Sequence, residues 1–186
     1  MMFDKDFKVR QQSSVLMYQL IKELENDVIK LQPKYITIEM KQNIISSLFI
    51  LRHDTVERVA TAASQIWKNI IENQPKTLKA IINVLIDLAI NIIQSPHSEL
   101  QEMGLGCMRG LAEKFGEKIV NEAIDVLESY LEKAQEDAQT VGICKAFLNM
   151  ASASSDKLIH EIKHRFVQII DKLIAHPNEK VRALIC

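Results

Sequence analysis

The sequence contains few glycines, prolines, cysteines and aromatic residues. Its 186 residues include 5 Gly, 4 Pro and 3 Cys, and aromatic residues make up 5%. Because β-sandwiches and barrels need many turns, this composition argues against an all-β fold. The odd number of cysteines, with no C-x-x-C pair, favours reduced thiols in a cytosolic protein over a disulfide framework.

The chain also lacks a strong excess of charge of one sign. Residues 1–93 contain 12 Lys and Arg against 10 Asp and Glu, and residues 94–186 contain 11 against 14. Neither half has the basic field that non-specific nucleic-acid binding requires. We therefore expect no direct sequence-specific contact with nucleic acid.

Long hydrophobic runs are also absent. The most apolar run is Ala80–Ile93, which is too short to span a bilayer, and a polar stripe of Asn83, Asp87 and Asn91 interrupts it. The first ten residues are polar and do not form a signal stretch. We expect no membrane association.

Helical periodicity, in contrast, runs through almost the whole chain. In the first helix we predict that Val9, Val15, Leu16, Leu20 and Leu24 face inward. The predicted helices are Lys5–Leu31, Ile38–Leu51, a helix from after Thr55 to about Asn73, one with Pro75 in its first turn that ends near Ser95, Glu99–Phe115, Glu117–Lys133, Glu136–Ala151, Asp156–Ala175 and a last helix that Pro177–Asn178 opens.

Helix-terminal residues mark several of the breaks. The stretch His53–Thr55 contains an N-cap candidate, and Pro75 stands in a first turn, where its missing N–H costs little. We predict that Ser98 caps the following helix and that Gly116 is its C-terminal turn residue.

A repeated pattern indicates the fold class. A short polar opening, then an apolar residue next to small or basic residues, recurs around Val9, Val59, Val141 and Val181. A period of about 40 residues with two helices per unit is typical of HEAT and armadillo repeats. We predict an all-α, α-α superhelix of about four helix pairs (5–52, 54–95, 98–134 and 136–176) plus a truncated final helix (178–186).

That final helix predicts that the sequence is a piece of a longer solenoid. The residues Val181, Leu184 and Ile185 would lack half of their cover, and no polar capping repeat follows. We expect a single HEAT-repeat segment.

The sequence His160-Glu161-Ile162-Lys163-His164 matches the H-E-x-x-H zinc-protease motif. However, the predicted inward stripe of this helix is Ile159, Ile162, Phe166, Ile169, Ile170 and Leu173. This stripe places both histidines on the opposite, solvent side. We therefore expect no metal and no other cofactor.

Small residues in the second half have packing as their simplest explanation. Gly104, Gly106 and Gly110 do not complete a dinucleotide-binding loop, and we predict that they let two helices cross closely. Cys107, Cys144 and Cys186 follow the repeat spacing, which favours small buried thiols.

A few residues are candidates for partner binding. We predict that Trp67, the only tryptophan, packs in the core, with an exposed anchor as the alternative. The basic residues near turns, Lys76, Lys79, Lys114 and Lys118, are candidates for contact with phosphate or with an acidic partner, the alternative being a solvated surface.

Several stretches resemble the Gcn-one family of translational activators. Asn73–Ile81 is similar to its N-T-P-R-T-L-x-E-I stretch, and Arg109–Ile119 is similar to L-G-D-L-V-R-K-L-G-E-K-I. Gly142–Cys144 matches G-V-C, Glu179–Arg182 resembles E-E-V-R-E, and Ala62–Lys68 resembles Q-A-x-x-x-W-K. The matches are colinear, although Ala60 stands where the family usually has an arginine.

This resemblance implies a segment toward the C-terminal part of a very large cytoplasmic HEAT protein. It implies ribosome binding, contact with the RWD domain of the Gcn-two kinase, and stimulation of phosphorylation of the alpha subunit of initiation factor two during amino-acid starvation. It implies a scaffold rather than an enzyme, without a small-molecule substrate. The alternative is another HEAT scaffold, such as a TOG-like tubulin-binding domain, a transport receptor or a phosphatase scaffold.

Overall fold

The computed structural model describes residues 2–27, 37–115, 117–134 and 136–183. The part of the chain that it describes folds into nine α-helices and contains no β-strand. The helices are α1 (Phe7–Asp27), α2 (Ile38–Leu51), α3 (Glu57–Ile70), α4 (Gln74–Ile93), α5 (Ser98–Lys114), α6 (Glu117–Lys133), α7 (Asp137–Ala153), α8 (Asp156–Ile174) and α9 (Glu179–Ala183).

Local sequence explains where several helices begin. The side chain of Asn73 accepts a hydrogen bond from the backbone N–H of Lys76 (3.0 Å), and Pro75 occupies the first turn of α4, as predicted. Thr37 and Ser155 cap α2 and α8 in the same way. These caps satisfy backbone donors that have no partner within the helix.

The helices form two layers that follow chain order. Among the odd-numbered helices, α1 contacts α3 and α7 contacts both α5 and α9, whereas α5 joins the earlier helices through α2 and α4. The even-numbered helices make the other layer, in which each contacts the next. Helix α4 also packs across the layers on α5 and α7. This is the arrangement of a helical repeat, and it confirms the predicted all-α superhelix.

Polar contacts between helices have the same period as the sequence pattern. Several of them join residues that lie 37 to 44 positions apart, about one repeat. They include Arg10–Asp54, Gln42–Ala80, Asp87–Tyr130, Arg109–Asn149 and Asp125–Arg165. Equivalent positions in successive units therefore lie beside each other, as stacking of repeats requires.

The predicted inward face of α1 is wrong. Val15, Leu16 and Leu20 are exposed, whereas Arg10, Ser13 and Ser14 are buried and Val9 is half-buried. The face of α1 that packs on α3 is therefore more polar than its apolar residues suggested, and it includes a buried arginine. The side chain of Leu24 and residues 28–31 lie outside the described part.

Three smaller predictions also need correction. Ser98 does not cap α5, because the N-cap residue is His97 and no side-chain hydrogen bond closes that end. Helix α3 starts at Glu57 with Val56 as its N-cap residue, and Asp54 accepts a hydrogen bond from the N–H of Val56 rather than from a residue of the helix. Ile170 is exposed rather than inward-facing. The predictions for Gly116 and for residues 184–186 fall outside the described residues.

Candidate protein interface

The four lysines that the sequence singled out are all exposed. Lys76 and Lys79 lie in the first two turns of α4, Lys114 in the last turn of α5 and Lys118 in the first turn of α6. The ammonium of Lys79 lies 3.1 Å from a carboxylate oxygen of Glu122. The Lys79 side chain is mostly exposed whereas that of Glu122 is half-buried, so solvent screens the pair from the lysine side. Their role as binding residues stays a prediction.

A cluster of rings joins α2, α3 and α5 around one arginine. The rings of Phe49 and Trp67 meet edge-on at 5.1 Å, and that of Phe115 lies 6.1 Å from Phe49. The guanidinium of Arg52 lies 5.0 Å from the centroids of both Phe49 and Trp67. We call Phe49, Arg52, His53, Trp67 and Phe115 the Arg52 cluster. Trp67 is 0% exposed, which confirms it as a core residue.

Arg52 is held by rings rather than by acids. Its Nε and Nη1 atoms are buried without a hydrogen-bond partner, and so is the Nε1 of Trp67. Burial lowers the pKa of Arg52 below its ordinary value. Stacking on aromatic faces stabilises a desolvated cation by about 2 kcal/mol or more, but it does not replace the hydrogen bonds that water would give these nitrogens.

His53 occupies a notch made by glycines of α5. A Cβ added at Gly110 would lie 2.2 Å from the Cε1 of His53, and one at Gly106 would lie 3.2 Å from its Cβ. At Gly104 an added Cβ would meet Ile93 of α4 at 2.8 Å. The predicted close approach is confirmed, although two of the three glycines admit a histidine side chain rather than a second helix.

The electrostatic surroundings of His53 are cationic. Burial, the largest cause, acts together with the nearby charges of Lys114, Arg52 and Arg109 to lower the pKa of His53 to about 3. His53 is therefore neutral at physiological pH. The structure thus brings Lys114, alone among the four predicted lysines, into the electrostatic environment of the Arg52 cluster.

The histidines of the H-E-x-x-H stretch lie on the exposed face of α8, as predicted. Among the described residues, no group of three or more His, Cys, Asp or Glu side chains is placed to hold a metal ion. Cys107 and Cys144 are buried, which confirms the packing interpretation for these two, whereas Cys186 lies outside the described residues. No helix in the described part is long and apolar enough to cross a membrane.

Sequence reasoning missed the two central residues of this site. Arg52 lies just beyond the predicted helix Ile38–Leu51, and His53 lies in the predicted break, so neither stood out as a site residue. The available signal was the spacing of Phe49 and Arg52, because residues three apart share one face of a helix. Nothing local indicated that Trp67 from the next helix would cover that face.

No protein-family model matches the chain. Its sequence is 26% identical over 145 residues to the "Stalled ribosome sensor GCN1" of Homo sapiens, which covers 78% of this chain. It is 29% identical over 157 residues to the "eIF-2-alpha kinase activator GCN1" of Dictyostelium discoideum, which covers 84%. The chain resembles a segment of GCN1. This finding confirms the resemblance that the sequence motifs predicted.

The matched GCN1 proteins are far longer than this chain, which spans about 5% of the length of the human relative. The Saccharomyces cerevisiae GCN1 is 22% identical over 144 residues. Among solved structures, an engineered protein aligns with 99% of this chain and 73% of its own length, at 17% identity and a TM-score of 0.36. That score is too low to support an argument about GCN1 function.

Proposed function

We propose that this chain is a non-catalytic scaffold segment of a ribosome-associated translational activator. In this proposal it acts in the cytoplasm and helps to stimulate phosphorylation of the alpha subunit of initiation factor two under amino-acid starvation. The observation that carries the proposal is similarity to proteins named GCN1 along 78% to 84% of the chain. The pairing into repeats 5–52, 54–95, 98–134 and 136–176, with a half-repeat at 178–186, belongs to the same proposal.

The chemistry of the buried titratable groups supports a scaffold. The thiols of Cys107 and Cys144 have raised pKa values because they are buried, whereas a nucleophilic cysteine needs a lowered one. His53 is enclosed between rings and glycines and surrounded by cations, so it is poorly placed to accept a proton from a substrate. These groups have packing roles.

We propose proteins as the partners, namely the ribosome and the RWD domain of the initiation-factor kinase. The exposed residues Lys76, Lys79, Lys114 and Lys118 are the candidate contacts. Exposed lysines near helix ends suit an acidic partner, because exposed charges raise association rates and selectivity more than affinity.

Co-sedimentation and pull-down experiments test this proposal. The 186-residue chain should be retained on ribosomes or on an RWD domain, and not on tubulin. Replacing the four candidate lysines by Gln should weaken retention at least about fivefold, because charge complementarity is lost. A matched control replaces four other exposed lysines by Gln, namely Lys68, Lys157, Lys163 and Lys172.

The outcomes separate the candidate functions. Binding to tubulin alone would replace the proposal by a tubulin-binding scaffold. The burial of Trp67 argues against that alternative, because a tryptophan at a turn edge is what such domains would present. Equal weakening by the candidate and the control lysine sets would leave the scaffold role but remove the four candidates.

A further inference from the structure

Arg52 differs from the other buried or half-buried arginines because no hydrogen-bond acceptor for it lies among the described residues. Even Arg182, which has no acidic partner there, donates to the backbone carbonyls of His176 and Pro177. Arg10 is paired with Asp54, Arg109 with Glu102, and Arg165 with both Asp125 and Glu128. Arg52 instead has two buried nitrogens without any partner. A buried charge without a counterion is unfavourable, so an external acceptor that reached it would be bound strongly.

The second observation is the indole N–H of Trp67. Trp67 is 0% exposed, and its ring centroid lies 5.0 Å from the Cζ of Arg52. Its Nε1 has no hydrogen-bond acceptor. Buried indole N–H groups normally find a partner. Arg52 and Trp67 can only donate hydrogen bonds, and both have a buried N–H group without an acceptor.

The approach to Arg52 is open on one side and positive. Its side chain is half-buried, and Nη2 is not one of its enclosed nitrogens. Lys114 is exposed and directly precedes Phe115, whose ring packs on Phe49 beneath Arg52. The charge of Lys114 acts on His53, which directly follows Arg52, so a second cation lies near the cluster.

We propose that Arg52, with Lys114 at its edge, receives a side-chain carboxylate from an acidic segment of a protein partner. This inference rests on the proposed function, since it assigns a partner chemistry to one surface of the scaffold. One oxygen of a carboxylate can accept a hydrogen bond from the exposed Nη2, and a hydrogen bond between two ionised groups is of the stronger, charge-assisted type.

A nucleic-acid backbone fits the same surface less well. Phosphodiester binding uses several cations in a row, and its affinity depends on their number. Here one recessed guanidinium and one lysine are available, Arg109 is already paired with Glu102, and the net charge of the chain is −1. The single recessed charge favours one carboxylate over a chain of phosphates.

Trp67 provides the readout, because it is the only tryptophan and contacts the proposed ligand-binding group. The intact 186-residue chain is titrated with a ten-residue Glu-rich peptide, an equal-length Gln-rich peptide and a ten-nucleotide oligouridylate, with Trp67 emission recorded. We expect a saturable emission change with the Glu-rich peptide. The Arg52→Gln variant should bind it at least about tenfold more weakly.

Arg58→Gln is the matched control. Arg58 is an exposed arginine that lies 5.3 Å from the ring centroid of Phe7, away from the Arg52 cluster, and its replacement removes the same charge. We expect its affinity for the Glu-rich peptide to stay within about twofold of wild type, since exposed charges contribute little. If Arg52→Gln does not fold by circular dichroism, Lys114→Gln replaces it, with an expected weakening of about threefold.

The inference is overturned if the Arg52 and Arg58 variants bind equally well, or if wild type binds the Gln-rich and Glu-rich peptides alike. Tighter, Arg52-dependent binding of oligouridylate would replace it by a nucleic-acid site. Retention on ribosomes or the RWD domain that is unaffected by Arg52→Gln would overturn the inference and leave the proposed function standing. If the Glu-rich peptide binds in an Arg52-dependent way but the chain is retained neither on ribosomes nor on the RWD domain, the inference stands and the proposed function is overturned.

Discussion

The Nε of Arg10 donates a hydrogen bond to the Oδ2 of Asp54 at 2.6 Å, and both side chains are 1% exposed. A second bond from Nη2 to Oδ1 makes the contact bidentate. The Nη1 of Arg10 donates to the backbone carbonyls of Asp4 and Lys5. One buried ion pair therefore fixes the start of α1 to the turn that precedes α3, 44 residues further along the chain.

The first prediction is that removing this arginine destabilises the fold. Arg10→Met should lower the free energy of unfolding by about 3–5 kcal/mol, because Asp54 becomes a buried charge without a partner. Urea unfolding followed by circular dichroism measures the change. Arg58→Met, at an exposed arginine, is the control and should stay within about 0.5 kcal/mol of wild type. Equal effects in the two variants would show that the pair has no structural role.

A second prediction concerns the notch that holds His53. Gly110→Ala should lower the free energy of unfolding by about 1–3 kcal/mol, because the new Cβ would lie 2.2 Å from the Cε1 of His53 and displace the ring. Thermal unfolding measures it. In the double variant with His53→Ala, the Gly110→Ala substitution should cost less than it does alone, because the clash is absent.

Gly142→Ala is the control for the glycine prediction. There the new Cβ would meet the Cγ of Gln94 at 3.0 Å, and Gln94 is exposed and able to move. Alanine also has the higher helix propensity, so this variant should gain up to about 1 kcal/mol. If Gly110→Ala and Gly142→Ala change the free energy of unfolding in the same direction and by similar amounts, the contact between Gly110 and His53 is not what makes alanine unfavourable at position 110.

Helix positions could be predicted from the sequence because their signals are local. Apolar periodicity places the helices, and helix-start residues such as Asn73 and Pro75 mark where they begin. The predicted spans Ile38–Leu51 and Glu117–Lys133 match the observed ones. The same local signals cannot show which face is buried when that face is polar. In α1 the buried face contains Arg10, and its stabilising partner Asp54 is distant in sequence.

The candidate site was harder to predict than the fold for the same reason. Lys114 could be suspected because it lies near a turn. Arg52 could not, since its character depends on Trp67 covering it and on the absence of a described acidic partner. Both conditions arise only when α2, α3 and α5 come together.

The third prediction is that the buried thiols react slowly. Burial raises the pKa of Cys144 to about 11 and that of Cys107 still further. Because only the thiolate is alkylated, iodoacetamide at pH 8 should modify both at least about 100-fold more slowly in the folded chain than in urea. Peptide mass spectrometry resolves the individual cysteines. Fast modification of either one in the native chain would show that its helix opens readily.

The last prediction is a pH dependence that belongs to His53. Its pKa in the folded chain is about 3, below the ordinary 6.5, because of burial and the cations Lys114, Arg52 and Arg109. The unfolded chain therefore takes up this proton first. Above pH 6.5 the group has no effect, and as the pH falls toward 3 the free energy of unfolding decreases by up to about 1.4 kcal/mol per pH unit.

Urea unfolding at pH 7 and pH 5 tests this dependence. Wild type should lose about 2 kcal/mol more than His53→Gln over this interval, because glutamine has no proton to take up. His164→Gln, at an exposed histidine of α8, should retain the wild-type dependence. Comparing slopes rather than absolute stabilities removes any packing cost of the His53 substitution itself. Parallel slopes for wild type and His53→Gln would mean that protonated His53 is tolerated in the notch beside Gly110.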